Sequence, residues 1–149
     1  MEEFQLFLTN QSSVYGDNES TKFTVPLCFP LDFTDGKWMV ALTELGMDNY
    51  AVENSKEQRK GQPLLIYSSI CECRLTGPSM GQLLAATFVN VNEKDSPFLR
   101  VTVKHPFYTP IVSENVAYPT FTLRTEDGKP FPIDKNAKVY LTLHIRKLY

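Results

Sequence analysis

The stretch that decides the fold runs from residue 23 to residue 45 and reads FTVPLCFPLDFTDGKWMVALTEL. It opens with an apolar strand in which Phe23, Val25 and Leu27 share one face. A bend from Pro26 to Pro30 follows, and an Asp-Gly turn stands at residues 35 and 36. Asp-Gly joins extended segments readily because glycine tolerates positive φ. The stretch therefore predicts two strands separated by a kinked connection.

The second of these strands carries the only tryptophan of the chain. Its apolar side chains lie on both faces: Trp38, Val40 and Leu42 on one, Met39, Ala41 and Leu45 on the other. A strand that is apolar on both faces is buried at the centre of a sheet, not at its edge. We expect the remainder of the chain to pair with this strand of about nine residues, to cover it or to connect to it.

Length and charge limit the class of protein. The chain has 149 residues, a formal net charge of −2 and a sequence pI of about 5.7. A chain of this length can bury most of its apolar surface as one domain, here 1–149, without disulfides or a structural metal. The slight acidity argues against a surface driven by net positive charge, so no specific nucleic-acid binding is expected.

The first residues predict neither a signal peptide nor a membrane span. Met1-Glu2-Glu3 is acidic where a secretory signal is basic, and the apolar run to Leu8 is too short to cross a bilayer. We therefore expect synthesis in the cytoplasm. There the three cysteines, Cys28, Cys71 and Cys73, are expected to be buried or half-buried free thiols, with the last two on the same face of one strand.

Two polar stretches separate the strands. Residues 10–21 predict a long surface loop, and its two sequons, at Asn10 and Asn18, are expected to be unmodified. The charged stretch from Glu53 to Gln62 predicts a solvated excursion.

The other strands are predicted where β-branched and aromatic residues alternate with polar ones between turn residues. Their ranges are 4–9, 64–73, 83–91, 98–104, 118–125 and 137–147. The short range 107–112 contains Pro110 and is predicted to be an edge strand or an extended connector. Gly77 to Gly81 is predicted to be a turn. In the last strand Val139, Leu141, Leu143 and Ile145 face one way.

Eight or nine short strands without a convincing helix predict an all-β sandwich or barrel. An immunoglobulin-type domain is disfavoured because Cys28 and Trp38 have no partner cysteine in a late strand. The long polar stretches at 10–21 and 48–62 favour a single jelly-roll β-sandwich of about eight antiparallel strands.

The residues that carry chemistry are few. His105 and His144 are the only histidines, so the His-x-His-based metal site of a cupin is absent. No nucleophile elbow, Cys-x-x-Cys pair or phosphate-binding glycine loop occurs. We therefore expect no catalytic, cofactor-binding or metal-binding residue, and not an enzyme. Glu44, a carboxylate inside an apolar strand, is expected to pair with an Arg or Lys.

Three segments resemble the minor capsid (penton) proteins of polintons, adintoviruses and virophage-like elements. The stretch from 23 to 45 resembles their F-x-V-x-L, P-L-x-L and G-x-W-E-V-A-L-x-E-I signature, with Met39 in place of Glu. Residues 8–20 resemble their polar lead-in, and residues 127–146 their terminal D-x-x-G and V-x-L-x-L-H-F-R, with Ile145 in place of Phe. The residues that match this pattern or form the expected core are Phe23, Val25, Leu27, Pro30, Gly36, Trp38, Val40, Leu42, Leu141 and Leu143.

The resemblance implies a jelly roll that assembles into a homopentamer at the vertices of an icosahedral capsid, beside a double jelly-roll major capsid protein. The protein would then be a virion component without a cofactor. Candidate subunit-interface residues are Tyr50, Phe107, Tyr108 and Tyr140, which combine aromatic surface with an outward position or a loop. The alternative is a carbohydrate- or protein-binding, lectin-like β-sandwich, for which the loop at Asp48-Asn49-Tyr50 is the only candidate.

Overall fold

The computed structural model describes residues 2–11, 17–48, 62–76, 79–89 and 99–149, and these ranges contain strands and no helix. The strands are β1 (Glu3–Thr9), β2 (Lys22–Thr24), β3 (Leu31–Asp32), β4 (Trp38–Asp48), β5 (Gln62–Ser68), β6 (Arg74–Thr76), β7 (Ser79–Gly81), β8 (Leu83–Val89), β9 (Leu99–Thr102), β10 (Thr109–Pro110), β11 (Asn115–Val116), β12 (Thr120–Arg124) and β13 (Lys138–Lys147).

Two main sheets form the body of the described structure. The five-stranded sheet has the order β1-β13-β4-β10, and β9 also pairs with β4. The four-stranded sheet has the order β2-β12-β5-β8. All of these pairings are antiparallel. Two small two-stranded sheets, β3 with β11 and β6 with β7, lie in the segments between the main strands.

The order of pairing identifies the topology. Eight strands of the two main sheets form four nested pairs; in chain order they are β1, β2, β4, β5, β8, β9, β12 and β13. The first of them pairs with the last (β1 with β13), and the second pairs with the seventh (β2 with β12). The third pairs with the sixth (β4 with β9), and the fourth with the fifth (β5 with β8). Such nested antiparallel pairs arise when one long hairpin rolls up into two facing sheets, which is a jelly roll. The predicted all-β jelly-roll class is confirmed.

The core lies between the two sheets and follows from alternation along each strand. In β12, Phe121 and Leu123 are fully buried, whereas Thr120 and Arg124 face outward. In β13, four alternate residues point inward with at most 1% exposure: Val139, Leu141, Leu143 and Ile145. Phe121 stacks on Phe23 of β2 with a distance of 5.5 Å between ring centroids. Period-two burial of this kind holds the register, because a slip by one residue would expose the whole inner set.

Strand β4 is the predicted central strand, but the predicted face of Leu45 is wrong. A register shift at Thr142/Leu143 turns Leu45 to the inner face, opposite Leu141, and not to the face of Met39 and Ala41. The strand pairs with β13 on one side and with β9 and β10 on the other. Its neighbours Val40 and Ala41 point to opposite faces, and both have 0% exposure. Ala41 pairs with His144, whose side chain contacts Tyr108 just before β10. The connector leading to β10 therefore reaches the outer face of the sheet beside Ala41.

The strand predicted from 64 to 73 is wrong in its second half. The strand β5 ends at Ser68, and residues 69 and 70 form a turn in which Cys71 N donates to Ser68 O over 3.3 Å. The expected shared face of Cys71 and Cys73 is also wrong, because Cys71 is buried and Cys73 is exposed. The expected burial of the three thiols holds only for Cys71, since Cys28 is exposed as well. The predicted turn at 77–81 is wrong for its last three residues, since residues 79–81 form β7 and pair with β6. Residues 77 and 78 lie outside the described residues.

The apolar strand at 23–27 is shorter than predicted, because β2 ends at Thr24. Single backbone hydrogen bonds continue beyond it, from Val25 N to Pro119 O and from Leu27 N to Ala117 O, each of 3.0 Å. Pro26 has no N–H to add to this ladder. The predicted excursion at 53–62 lies outside the described residues, except that Gln62 begins β5.

Candidate assembly surface

The motif residues divide into a buried and a non-buried group. Seven of them are buried: Phe23, Val25, Trp38, Val40, Leu42, Leu141 and Leu143. Leu27 is half-buried and packs against this core. Pro30 and Gly36 are exposed, so they are not core residues.

Glycine is required at position 36 for a reason other than core packing. The chain end runs past it, with Lys37 N donating to Tyr149 O over 3.0 Å and Leu148 N donating to Lys37 O over 2.7 Å. A Cβ at Gly36 would collide with the carbonyl of Tyr149 and with the side chain of Lys147. The absence of a side chain therefore lets the last residues close over the turn.

Tyr108 belongs to a polar cluster on the outer face of the five-stranded sheet. Its hydroxyl lies 2.7 Å from Nδ1 of His144, and Nε2 of the same ring lies 3.3 Å from a carboxylate oxygen of Glu3. A ring protonated at Nε2 donates to Glu3 and accepts from Tyr108, so all three side chains are satisfied together. The Arg146 guanidinium lies 3.8 Å from the centroid of the Tyr108 ring. The cluster ties the connector at Tyr108 to β13 and β1.

Tyr140 lies on the same outer face, where it stacks on Phe7 of the edge strand β1. The ring centroids are 5.9 Å apart, and the planes meet at 24°. Tyr140 is half-buried, whereas Phe7 is 69% exposed. An aromatic pair on an edge strand is apolar surface that a second protein can cover.

The other two predicted interface residues do not join this pair. Phe107 is 64% exposed and lies under the Arg74 guanidinium, 4.5 Å from its ring centroid. It therefore faces the β6–β7 hairpin. Tyr50 lies outside the described residues, as do Asn49 and the rest of the proposed lectin-like loop beyond Asp48.

The two lateral edges of the sandwich each carry an exposed phenylalanine. Phe7 lies on β1, the first strand of the five-stranded sheet, and Phe88 lies on β8, the last strand of the four-stranded sheet. They are 69% and 70% exposed. Neither phenylalanine was predicted as an interface residue from the sequence. For Phe88 a signal was available, because the apolar Val89 beside it is buried, and neighbouring residues of a strand point to opposite faces.

These edges are on opposite sides of the molecule. The Asn18 amide donates to Asn10 O, just after β1, and to Thr24 O at the end of β2, over 3.3 and 2.9 Å. The edge strands β1 and β2 therefore share one side. Strand β8 closes the other end of the four-stranded sheet, where it contacts β4 across the sandwich. We name the surface around Phe7 and Tyr140 the β1 edge, and the surface around Phe88 the β8 edge.

In the described part of the chain, no group of three His, Cys, Asp or Glu side chains is placed to hold a metal ion. Glu44 forms an ion pair with Arg100 of β9, the structural role expected for it. Burial raises the pKa of the Cys71 thiol to about 12, which makes it a poor nucleophile. Among the same residues, no helix is long and apolar enough to cross a membrane.

Fold and surface together define a jelly-roll sandwich with apolar lateral edges. No family model matches the sequence, and no curated protein matches it either. The fold is similar to that in a crystal structure of the penton protein of mavirus, with a TM-score of 0.66 and 8% sequence identity. The match covers 99% of this chain and 100% of the mavirus chain. A likeness at this identity establishes a common fold, and here it runs from end to end.

Proposed function

We propose that the chain is a minor capsid (penton) subunit of the polinton, adintovirus or virophage-like type, and that it is not an enzyme. Residues 1–149 would form a single jelly-roll domain that assembles as a homopentamer at the vertex of an icosahedral capsid. The observation that carries the proposal is the match with a penton protein, which covers 99% of this chain and 100% of the mavirus chain. The sequence resemblance at 23–45 points to the same class independently.

The lateral edges provide a physical route to a ring. A cyclic assembly of five copies needs a heterologous contact, in which one surface of each subunit meets a different surface of the next. The β1 edge and the β8 edge are two such surfaces, and each exposes a phenylalanine. Burial of an aromatic side chain at the centre of a contact contributes more than most of the surrounding residues. We assign the β1 edge of one subunit to the β8 edge of the next.

Tyr140 belongs to this contact through its stack on Phe7, whereas Tyr108 does not. The Tyr108 hydroxyl and ring are already engaged by His144 and Arg146 of the same chain. The expected partners are thus other copies of the chain and, around the ring, a double jelly-roll major capsid protein. The expected location is the virion.

The oligomeric state tests the proposal directly. Native mass spectrometry of the purified chain should show a species of about 85 kDa, five times the 17.0 kDa monomer, in exchange with monomer. Co-expression with a double jelly-roll major capsid protein should place that species at the vertices of the particles, as seen by electron microscopy. A protein that stays monomeric at every concentration and is absent from such particles would contradict the assignment.

A further inference from the structure

A polar cleft opens on the outer face of the four-stranded sheet. Its volume is about 260 Å³, and it lies between β5, β12 and the β6–β7 hairpin. The inward positions of Phe121 and Leu123 force Thr122 and Arg124 outward, and Thr122 pairs with Tyr67 of β5. The floor of the cleft is therefore the outer surface of a rigid sheet, remote in the fold from the β1 edge.

Arg124 is held in the cleft in a way that leaves its donors available. Its guanidinium carbon lies 5.2 Å from the centroid of the Tyr67 ring. A guanidinium has five N–H donors, and its attraction to an aromatic ring does not depend on pairing them with hydrogen-bond acceptors. Within the described ranges, Arg124 has no carboxylate in ion-pair distance. The Tyr67 ring rests in turn against Gly81, where a Cβ would come within 2.8 Å of Cε1.

The remaining lining consists mainly of hydroxyl and amide groups. Ser69, Thr120 and Thr122 contribute hydroxyls, and no Asp or Glu lines the cleft. Ser69 Oγ accepts a hydrogen bond of 3.0 Å from Thr120 N, so its own O–H remains a donor. The amide nitrogen of Gln82 is fixed by two hydrogen bonds, to Ser69 O at 3.2 Å and to Cys71 O at 2.9 Å. Its amide oxygen is thereby oriented as an acceptor.

We propose that this cleft binds an acidic saccharide, with the carboxylate on Arg124 and the sugar hydroxyls on the Ser, Thr and Gln groups. A guanidinium edge pairs with a carboxylate through two parallel hydrogen bonds. An apolar ligand would leave the polar lining unpaired, at a cost in free energy. The volume lies below the roughly 300 to 1,000 Å³ typical of drug-sized ligands, which fits a single sugar ring. The site does not depend on ring formation.

Saturation-transfer NMR and chemical-shift titration of the full chain test this site. The probes are N-acetylneuraminic acid and glucuronic acid, with galactose as the neutral sugar and acetate and phosphate as simple anions. An acidic sugar should shift the amide signals of residues in β5 and β12. Its affinity should exceed that of galactose and of acetate by about tenfold or more, because it uses the cation and the hydroxyls together.

Three variants with an unchanged fold make the test specific. Arg124→Gln and Thr122→Val should each weaken acidic-sugar binding, the first by about tenfold or more. Arg100→Gln is the matched control, since Arg100 is an exposed arginine on the five-stranded sheet, and it should bind as the wild type does. Absence of binding, equal binding of galactose or phosphate, or full binding by Arg124→Gln would each overturn the proposal.

Discussion

Nε1 of Trp38 donates a hydrogen bond of 2.8 Å to Oδ1 of Asp35, three residues earlier in the chain. The bond ties the Asp-Gly turn to the first residue of the central strand, and Lys147 Nζ lies 3.3 Å from the second carboxylate oxygen. The indole is buried to 5% exposure, with Phe33 and Phe4 at 5.5 and 6.0 Å between centroids. A buried indole needs a partner for its N–H, and here the turn provides it.

Truncation of Trp38 to Ala should lower the free energy of unfolding by about 3 to 5 kcal/mol, because it leaves a cavity between Phe33 and Phe4. Denaturant unfolding followed by circular dichroism measures the change. Tyr149→Ala is the control, since that side chain is 76% exposed, and it should change the free energy little. An unchanged unfolding midpoint for Trp38→Ala would mean that the indole does not pack in the core.

The carboxylate of Asp35 should make stability depend on pH. The hydrogen bond from Trp38, followed by the contact with Lys147, lowers its pKa from the ordinary value of 3.8. A lowered pKa in the folded state means that the ionised form stabilises folding. This contribution is complete above pH 3.8 and is lost as the pH falls through the lowered folded value.

The comparison of wild type with Asp35→Asn isolates that contribution. The difference in their unfolding free energies should be largest at neutral pH and should shrink as the solution is acidified below 3.8. In a Trp38→Phe background, which removes the principal donor, the same substitution should have a smaller and flatter effect. A difference that grows on acidification would contradict the assigned sign.

Thiol labelling should separate the three cysteines. Cys28 and Cys73 are exposed, whereas Cys71 is buried with its pKa raised to about 12. Ellman's reagent should therefore react promptly with two thiols in the native protein and with the third only on unfolding. A Cys28→Ser, Cys73→Ser double variant should show no prompt reaction. Prompt reaction of that variant would place Cys71 at the surface.

Asn10 should contribute to stability, although the sequence around it predicts a polar surface loop. It is 5% exposed, and its side chain donates to Ala137 O and accepts from Val139 N, both at 2.9 Å. Asn10→Leu would leave a buried donor and a buried acceptor unpaired, at about 1 to 3 kcal/mol each. Chemical denaturation of this variant beside Gln11→Leu, at an exposed neighbour, measures the difference. Equal stability of the two variants would contradict the role of Asn10.

The features predicted from the sequence are those that depend on local alternation. The inward sets of β12 and β13 can be read directly, because side chains alternate with a period of two along a strand. The faces of β4 could be read only as far as Leu42, because a register shift at Thr142/Leu143 turns Leu45 onto the inner face. The end of β5 at Ser68 could not be predicted, since Tyr67 and Ser69 continue the alternation. What ends the strand is a turn at residues 69 and 70, in which Ser68 Oγ accepts from Ile70 N.

The candidate surface was only partly predictable for a related reason. The outward position of Tyr140 could be predicted, because it lies between Val139 and Leu141, which both point inward. Phe7 and Phe88 became candidates only with the strand order, because whether β1 and β8 are edges depends on which distant strands pair with them. The contacts of Tyr108 with His144 and Arg146 could not be predicted either, since they join residues that are far apart in the sequence.

The last prediction concerns the direction of the subunit contact. If the β1 edge of one subunit meets the β8 edge of the next, Phe7→Glu and Phe88→Glu should each abolish the ring, because each removes one half of every contact. Buried, unpaired charge in an apolar contact carries a large cost in free energy. Leu75→Glu is the control, since Leu75 is 77% exposed but lies on the β6–β7 hairpin, and it should still form rings.

A mixture of the two edge variants then distinguishes a heterologous contact from a symmetric one. Phe7→Glu keeps an intact β8 edge and Phe88→Glu keeps an intact β1 edge, so one good contact can form between them and no more. The mixture should therefore give a heterodimer of about 34 kDa, twice the 17.0 kDa chain, in native mass spectrometry, and neither variant alone should dimerise. In a twofold contact made by Phe7 against Phe7, Phe88→Glu would assemble normally and the mixture would contain no heterodimer. That result would exclude a head-to-tail contact through these edges. The heterodimer would establish such a contact, because only a contact between unlike surfaces can be restored by combining two different defects.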